Sequence, residues 1–214
     1  MKPIIPLPAL NRLPLYYREL RSAASNGIKT MSSRQLGALL GLPDTQVRKD
    51  LSYIVEEHGK KRVGYATQGL ADFLQEYLGL RQDKPAALVG VGNLARALMG
   101  YSEFREYGLR IQFLFDNNDS IIGTRINDVE VLSVDKLTQT VIEHNLCMGI
   151  ITTPASAAQK VTDSLVRGGV CAIWNFAPIN IVVPTSVYVV NEHLSTSFAV
   201  ISHMLSQAKE SKQH

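Results

Sequence analysis

The residues best suited to chemistry in this sequence form a glycine turn, Gly90-Val91-Gly92-Asn93-Leu94-Ala95. Gly90 permits a tight turn, and Gly92 lets the backbone approach a pyrophosphate at the N-terminus of the following helix. Ala95 stands where a third glycine usually falls. Asp116 comes 21 residues after Ala95, where a carboxylate binds the hydroxyl groups of an adenine ribose. This spacing predicts a dinucleotide site. NAD is favoured over NADP because no arginine follows Asp116 directly, although Asp116 could instead be a helix cap or a loop residue.

The elements around this turn alternate between strands and helices. Apolar runs predict strands at 86–89, 110–116, 128–132, 147–152, 170–174 and 187–190, and helices at 93–101, 134–144 and 155–167. This alternation is typical of an α/β fold with a parallel sheet and helices on both faces.

Ligands of such sheets bind beyond the carboxyl ends of the strands. Two loops that follow strands should therefore line the cleft, Thr152-Thr153-Pro154 and Asn175-Phe176-Ala177-Pro178. The alternative is that both are ordinary loops that happen to contain proline.

The segment before the glycine turn is basic. Residues 1–65 contain eleven Lys and Arg against five Asp and Glu, a net charge of +6, whereas the whole chain carries only +3. The remainder is therefore net negative, at −3. This asymmetry indicates a polyanionic partner for the first segment.

A helix-turn-helix pattern lies within that basic segment. A serine cap opens a helix at 33–40 with Leu36, Leu39 and Leu40 on its apolar face, and 41–43 breaks it. Asp44 or Thr45 should cap a second helix at 46–53, with Val47, Leu51 and Ile54 facing inward. A basic hairpin, or wing, is predicted at 57–65. The predicted DNA-contacting residues are Ser33, Gln46, Arg48, Lys49, Ser52, Tyr53, Lys60, Lys61, Arg62 and Tyr65. A solvated charged face is the alternative for any one of these elements.

The chain resembles the Rex family of redox-sensing transcriptional repressors over nearly its whole length. The string Arg48-Lys49-Asp50-Leu51-Ser52-Tyr53 is highly specific for that family's recognition helix. The other matching segments are 12–18, 62–65, 90–95, 115–116, 153–155 and 175–178.

The resemblance implies a homodimer that binds double-stranded operator DNA, NADH and NAD. The expected parts are a winged helix-turn-helix domain at 1–82, a Rossmann domain at 83–193 and a domain-swapped final helix at 194–214. In that family NADH disfavours operator binding and NAD permits it. The apolar stripe Leu194, Phe198, Ile201 and Leu205 suits the swapped helix, although a helix packed within its own subunit would show the same stripe.

One departure concerns the family's switch. Family members usually end the last strand with Asn-Val-Asp, where this chain has Asn191-Glu192-His193. The resemblance implies that the aspartate exchanges partners between a tyrosine, matched by Tyr101, and an arginine, matched by Arg18. Here His193, which can change charge near neutral pH, or Glu192 would have to replace it.

Three other functions remain open from the sequence. A dehydrogenase needs a proton donor or acceptor in the cleft, and His193 is the only histidine that follows a predicted strand end there. A coenzyme A-binding module also has a late Asn-Phe-Ala-Pro-like loop, but it would not need the basic leader. A thiol sensor could use Cys147 and Cys171, which begin consecutive strands. No metal-ligand spacing, signal peptide or membrane span is predicted, and the cysteine usage fits the reducing cytoplasm.

Overall fold

The structure is a computed structural model that describes residues 5–54 and 64–210. The chain divides into two compact units, Met1–Gln82 and Asp83–His214.

The first unit is a small helical unit with a two-stranded ribbon. Its elements are α1 (Leu7–Leu10), α2 (Leu13–Ser25), β1 (Thr30–Met31), α3 (Ser33–Leu40), α4 (Asp44–Ser52), β2 (Tyr65–Ala66) and α5 (Thr67–Tyr77). β1 and β2 pair antiparallel, with Met31 opposite Tyr65. The core between the helices is formed by Leu13, Tyr16, Leu20, Leu36, Leu51 and Leu74, all at most 1% exposed.

The α3–turn–α4 segment confirms the helix-turn-helix, with two local corrections. Ser32 caps α3 in a capping box with Gln35, as the serine pattern predicts. The turn is tight at Gly37. A Cβ atom added to this residue would lie only 2.4 Å from the carbonyl oxygen of Leu42, so the turn depends on its absence. Neither Asp44 nor Thr45 caps α4: Pro43 is the N-cap residue. Leu39 does not join the buried face of α3 but is 59% exposed.

The second unit is built on a seven-stranded sheet. Its strands are β3 (Lys84–Val89), β4 (Leu109–Asp116), β5 (Arg125–Ile126), β6 (Val129–Ser133), β7 (Met148–Ile151), β8 (Ala172–Asn175) and β9 (Tyr188–Asn191). Their order across the sheet is β5-β6-β4-β3-β7-β8-β9. All neighbouring strands are parallel except β5 and β6, which form a short antiparallel ribbon that the sequence did not predict.

Four helices pack on this sheet, and they lie on both of its faces. They are α6 (Asn93–Gly100), α7 (Glu103–Glu106), α8 (Leu137–Glu143) after a 3-10 turn (Val134–Lys136) and α9 (Ala155–Gly168). The last helix of the unit is α10 (Leu194–Glu210). Alternate residues of β3 belong to two separate buried clusters: Ala86 and Leu88 to one, Ala87 and Val89 to the other. This two-sided burial explains the continuous apolar run of the strand.

The last helix leaves its apolar side chains uncovered. Phe198, Val200, Ile201, Met204 and Leu205 are 51–70% exposed. Their own chain therefore does not bury the stripe that periodicity predicts for this helix. Within the described ranges, no helix is both long and apolar enough to cross a bilayer.

Candidate functional site

The predicted cleft lies where the strand order reverses, between β3 and β7. The glycine turn follows β3, and Thr152 follows β7. The Thr152 hydroxyl donates to the carbonyl oxygen of Gly90 at 2.6 Å, which joins the two loops. Gly90 has a φ of +96°, and a Cβ on it would lie 2.9 Å from the backbone nitrogen of Thr153. Only glycine fits this position, as the sequence predicts for a tight turn.

The start of α6 is open toward that cleft. Gly92 is the N-cap residue and has no side chain to cap the helix, and a Cβ on it would meet no atom of the described residues within 4 Å. The first-turn N–H groups of a helix have no intrahelical acceptor, so they suit a phosphate. Asn93 is exposed and Leu94 half-buried at this end, whereas Val91 and Ala95 are buried against the sheet. Ala95 stands where the third glycine of the motif usually falls, and its small side chain allows the same close contact between α6 and the sheet.

Asp116 lies beside the glycine turn, at the end of β4. Its Oδ2 accepts the Val91 N–H at 2.6 Å, and its Oδ1 accepts the Asn118 N–H at 2.9 Å. The side chain is half-buried. Because an ionised carboxylate offers about four acceptor positions, two of them remain for another pair of donors such as a ribose diol.

Thr153 supplies an independent sign of a ligand. Its Oγ1 is buried and, within the described part of the chain, has no hydrogen-bond partner. A buried hydroxyl left unpaired costs about 1–3 kcal/mol, so such groups often belong to binding sites. The next residue, Pro154, is exposed and is the N-cap of α9.

The loop after β8 is organised by Asn175, which is fully buried. Its side-chain amide donates to the Ile179 carbonyl and to Asn191 Oδ1, both at 2.8 Å, and its Oδ1 accepts the Ala177 N–H at 3.0 Å. The Asn175 side chain therefore holds the loop in place, and its contact with a cofactor stays a prediction. Ala177 is buried as well, whereas Phe176 is half-buried and Pro178 exposed.

An aromatic row, defined here as Tyr101, Phe104, Trp174 and Phe176, lies in the same unit. Successive ring centroids are 4.8, 5.4 and 4.8 Å apart. The sequence identified Tyr101 and Phe176 but missed Trp174 and the packing role of Phe104. Trp174 and Phe176 are two residues apart at the end of β8. Because alternate residues of a strand share a face, the sequence could have indicated that these two rings lie on the same side.

The three predicted switch residues have different surroundings. Tyr101 donates its hydroxyl to Glu103. His193 is exposed, and its carbonyl accepts the Thr196 N–H at 3.0 Å at the start of α10. Arg18 belongs to the first unit, on α2, where its Nη2 lies 2.9 Å from Glu19 Oε1. Neither His193 nor Arg18 is buried.

A buried polar cluster fixes the predicted recognition helix α4. Asp50, only 1% exposed, accepts two bonds from Arg12, at 2.6 and 2.8 Å, and one from the Tyr16 hydroxyl at 2.6 Å. Burial alone would raise the pKa of the Asp50 carboxyl, but hydrogen bonds from Arg12, Tyr16 and Gln46 outweigh it and hold that pKa below its usual range. Asp50 was not predicted as a functional residue. Its position directly after Arg48 and Lys49, as an acid in a basic helix, could have indicated a special role.

The predicted DNA-contacting residues of α4 divide into two groups. Arg48, Lys49 and Ser52 are exposed, with Arg48 Nη1 2.7 Å from Asp44 Oδ2. Gln46 is half-buried, and its amide donates to Asp50 Oδ1 at 2.8 Å. Gln46 thus helps to hold the buried acid, which corrects the expectation that it faces outward.

The remaining predicted DNA contacts lie around α4. Ser33 and Tyr53 are half-buried. Tyr65 is half-buried on β2, where burial raises the pKa of its hydroxyl and the positive charge of Arg48 partly offsets this rise. Tyr65 also pairs with Met31, just before α3 begins. Lys60, Lys61 and Arg62 of the predicted wing lie outside the described residues.

Two further site classes were also considered from the sequence. Cys147 and Cys171 are free thiols on adjacent strand starts, and the Cys171 N–H donates to the Cys147 carbonyl at 2.9 Å. Burial and the neighbouring Cys171 raise the pKa of the Cys147 thiol, which makes it less reactive. In the part of the chain that the structure describes, no cluster of metal-ligating side chains occurs.

Comparison with known proteins identifies close relatives over nearly the whole chain. The "Redox-sensing transcriptional repressor Rex" of Clostridium beijerinckii is 39% identical over 205 residues, which cover 96% of this chain and 97% of that protein. The protein of the same description from Roseiflexus sp. is 42% identical over 180 residues, or 84% of this chain and 81% of that one. The chain belongs to the Rex family of redox-sensing transcriptional repressors.

Solved structures agree with this assignment. RSP, described as a Rex-family repressor, aligns with a TM-score of 0.88 at 34% identity and covers 98% of both chains. Its complex with β-NAD+ and operator DNA aligns with a TM-score of 0.91, covering 98% of this chain and 96% of that one, and its complex with β-NADH with a TM-score of 0.87. The predicted α/β fold, with a leading DNA-binding unit and a Rossmann sheet, is confirmed.

Family models match the two units of this Rex-family chain separately. Residues 4–52 match the family "Putative DNA-binding protein N-terminus". Residues 81–179 match the family "CoA binding domain". The second match corresponds to the Rossmann variant that the sequence left open as an alternative.

Proposed function

We propose that this protein is a transcriptional repressor that reads the balance of NADH and NAD. It binds operator DNA with NAD or without a cofactor, and it releases the DNA when NADH binds. The observation that carries this proposal is the cleft at the strand reversal, where the glycine turn, Asp116 and the buried Thr153 hydroxyl meet. RSP, at 34% identity, has been crystallised with β-NAD+ and operator DNA and with β-NADH.

The cofactor would lie across this cleft. The N-terminus of α6, with Gly90, Gly92 and Asn93, would bind the pyrophosphate, and Asp116 would accept bonds from the adenine ribose. Tyr101, Thr153, Pro154 and the 176–178 loop would surround the nicotinamide end, while Asn175 supports that loop from beneath. The bound nicotinamide supplies the redox state that is sensed.

Operator DNA would be bound by the first unit. Arg48 and Lys49 on α4 present exposed charge, and Ser33, Ser52, Tyr53 and Tyr65 lie on or beside the same helix-turn-helix. Lys60, Lys61 and Arg62 would extend this surface as the wing. Together with the net charge of +6 at 1–65, these residues support a DNA-binding surface.

The assembly would be a homodimer that exchanges α10. The exposed stripe containing Phe198, Ile201 and Leu205 supports a second copy as its cover. The corresponding domains are 1–82, 83–193 and 194–214. We place the protein in the cytoplasm, where operator DNA and the NADH pool are found.

A repressor needs no catalytic group, and the relatives carry the name of repressors rather than enzymes. Binding of coenzyme A is the second candidate, because residues 81–179 match the CoA binding domain family. Asp116 argues against it: a carboxylate there suits a free ribose diol, whereas coenzyme A carries a phosphate on its adenosine ribose.

The deciding experiment is a titration of operator binding at fixed total cofactor while the NADH to NAD ratio is varied. The expected result is loss of the DNA complex as the ratio rises, with no NADH consumed. Coenzyme A is titrated in parallel. Release by coenzyme A, or DNA binding that ignores the ratio, would overturn the proposal.

The switch itself would involve Arg18, Tyr101 and the residue that replaces the usual aspartate. His193→Asp restores that aspartate, and its NADH-driven release of operator DNA is compared with that of the parent. If residue 193 takes part in the switch, the factor by which NADH weakens operator binding should change in the variant. An unchanged factor would exclude His193 from the switch.

A further inference from the structure

Glu192 is bonded at two points to the end of β8. Its Oε1 accepts the Trp174 indole N–H at 3.0 Å, and its own N–H donates to the Asn175 carbonyl at 2.8 Å. Both Glu192 and Trp174 are half-buried. The carboxylate is thus engaged with an indole in the cofactor-binding unit.

The indole that Glu192 holds belongs to the aromatic row. Trp174 packs against Phe104 at an interplanar angle of 78° and against Phe176 at 49°. Such edge and tilted contacts are directional, so a shift of one ring displaces its neighbours. Fixing the indole plane therefore also fixes Phe176, which follows β8 at the proposed nicotinamide end.

Glu192 is also close in sequence to α10. The helix begins two residues later, at Leu194, and β9 ends one residue earlier, at Asn191. The Trp174–Glu192 bond therefore connects the residues that lead into α10 to the aromatic row.

The geometry points to Glu192 as a positioning residue for the cofactor response. Through the Trp174 N–H, it sets the position of Phe176 and transmits a change at the nicotinamide end to the start of α10. This inference rests on the proposed function, because it concerns how the same cleft controls DNA binding. Glu192 acts as a hydrogen-bond acceptor in this role, so the amide of glutamine can replace it.

The test uses the full chain with four single variants and one double variant. Glu192→Val removes the acceptor, Glu192→Gln keeps an acceptor oxygen, and Trp174→Phe keeps an aromatic ring without the N–H. Glu130→Val, on β6, is the matched control, since it removes an exposed carboxylate from another part of the unit. For each variant we measure operator affinity with and without saturating NADH.

The factor by which NADH weakens operator binding should fall about tenfold in Glu192→Val and in Trp174→Phe. This change corresponds to about 1.4 kcal/mol of coupling free energy. Glu192→Gln and Glu130→Val should keep the parent factor. The double variant Glu192→Val/Trp174→Phe should lose no more than either single variant, because both remove the same bond.

A second measurement needs no cofactor. Hydrogen exchange of the indole N–H is followed by NMR, where Trp174 gives the only indole signal of the chain. Exchange should accelerate at least fivefold in Glu192→Val and stay near the parent rate in Glu192→Gln. Parent-like DNA release in Glu192→Val, or additive losses in the double variant, would overturn the inference. A parent that ignores NADH would instead overturn the proposed function.

Discussion

Asp116 serves both the fold and the proposed binding site. Its two oxygens already accept N–H groups from Val91 and Asn118. The glycine turn is therefore shaped by the same carboxylate that would bind the ribose.

Asp116→Asn and Asp116→Ala should lower NADH affinity about tenfold or more, because hydrogen bonds to a charged group are worth about 1.5–3 kcal/mol. The preference for NADH over NADPH should shrink as well, since the charge that repels a 2′-phosphate is gone. Calorimetric titration with both cofactors measures this. Asp119→Ala, an exposed acid in the same loop, is the control. Unchanged affinity in both Asp116 variants would remove the assignment.

At the scale of elements, α4 presents charge outward and carries a buried acid inward. Arg48 and Lys49 are exposed on it, while Asp50 anchors it to α2 through Arg12 and Tyr16. The anchor determines how firmly the exposed groups are held, because side chains on a well-packed helix lose less freedom on binding. The exposed charges of α4 and its buried anchor can be tested separately.

Arg48→Ala and Lys49→Ala should weaken operator binding without changing NADH affinity. A residue that contacts a phosphate should also lower the slope of log affinity against log salt by roughly 1, whereas a base contact should relax the sequence preference at one position. Electrophoretic or anisotropy titrations over a salt series separate the two. Arg167→Ala, an exposed arginine at the end of α9, should behave as the parent. Normal operator binding by both variants would mean that α4 is not the docking helix.

Asp50→Asn should lower the free energy of unfolding of the first unit by about 3 kcal/mol. This is the lower end of the cost of breaking a buried ion pair, because the Arg12 side chain is a quarter exposed. Asp44→Asn, which removes the exposed pair with Arg48, should cost at most about 1 kcal/mol. Hydrogen exchange in α4 measures both losses.

The same buried acid predicts how stability depends on pH. Because the pKa of Asp50 is lowered in the folded protein, its contribution is complete above the unfolded value of about 3.9 and is lost as the pH falls through the folded value. The parent should therefore lose stability below about pH 4. Asp50→Asn should lose less over that interval. Equal losses in both would mean that Asp50 is not the responsible group.

The sequence predicted most elements because their patterns are local. The two-sided apolar run of β3 and the serine cap of α3 each depend on a few neighbouring residues. It did not predict that the Gln46 side chain hydrogen-bonds to Asp50, or that the Asn175 side chain hydrogen-bonds within its own loop. Such contacts depend on which polar group lies nearest after folding, and periodicity carries no information about that. The Trp174–Glu192 bond joins β8 to the residue that follows β9 and was missed for the same reason.

At the scale of the whole molecule, the final helix requires a cover. Phe198 is 70% exposed and Leu205 60% exposed on one face of α10. An uncovered stripe of this kind marks an interface in a stable protein. The proposed exchange of α10 between two copies would bury it.

Phe198→Glu and Leu205→Glu should convert a dimer into monomers, because a charge buried without a partner in an apolar interface costs several kcal/mol. Gln207→Glu introduces the same charge at an exposed position on the opposite face of the helix and should leave the dimer intact. Sedimentation equilibrium measures the mass of each. A parent that is already monomeric, or dimers in all three variants, would exclude α10 as the dimer contact.

The position of Trp174 makes the protein its own optical probe. It is the only tryptophan of the chain, and its ring packs against Phe176. A reduced nicotinamide absorbs at the wavelengths where an indole emits, whereas the oxidised ring does not. The fluorescence of Trp174 should therefore be quenched by energy transfer to bound NADH. It should stay unchanged when NAD is bound. Cofactor exchange could then be timed in the unlabelled protein, in the presence of DNA, without adding a dye.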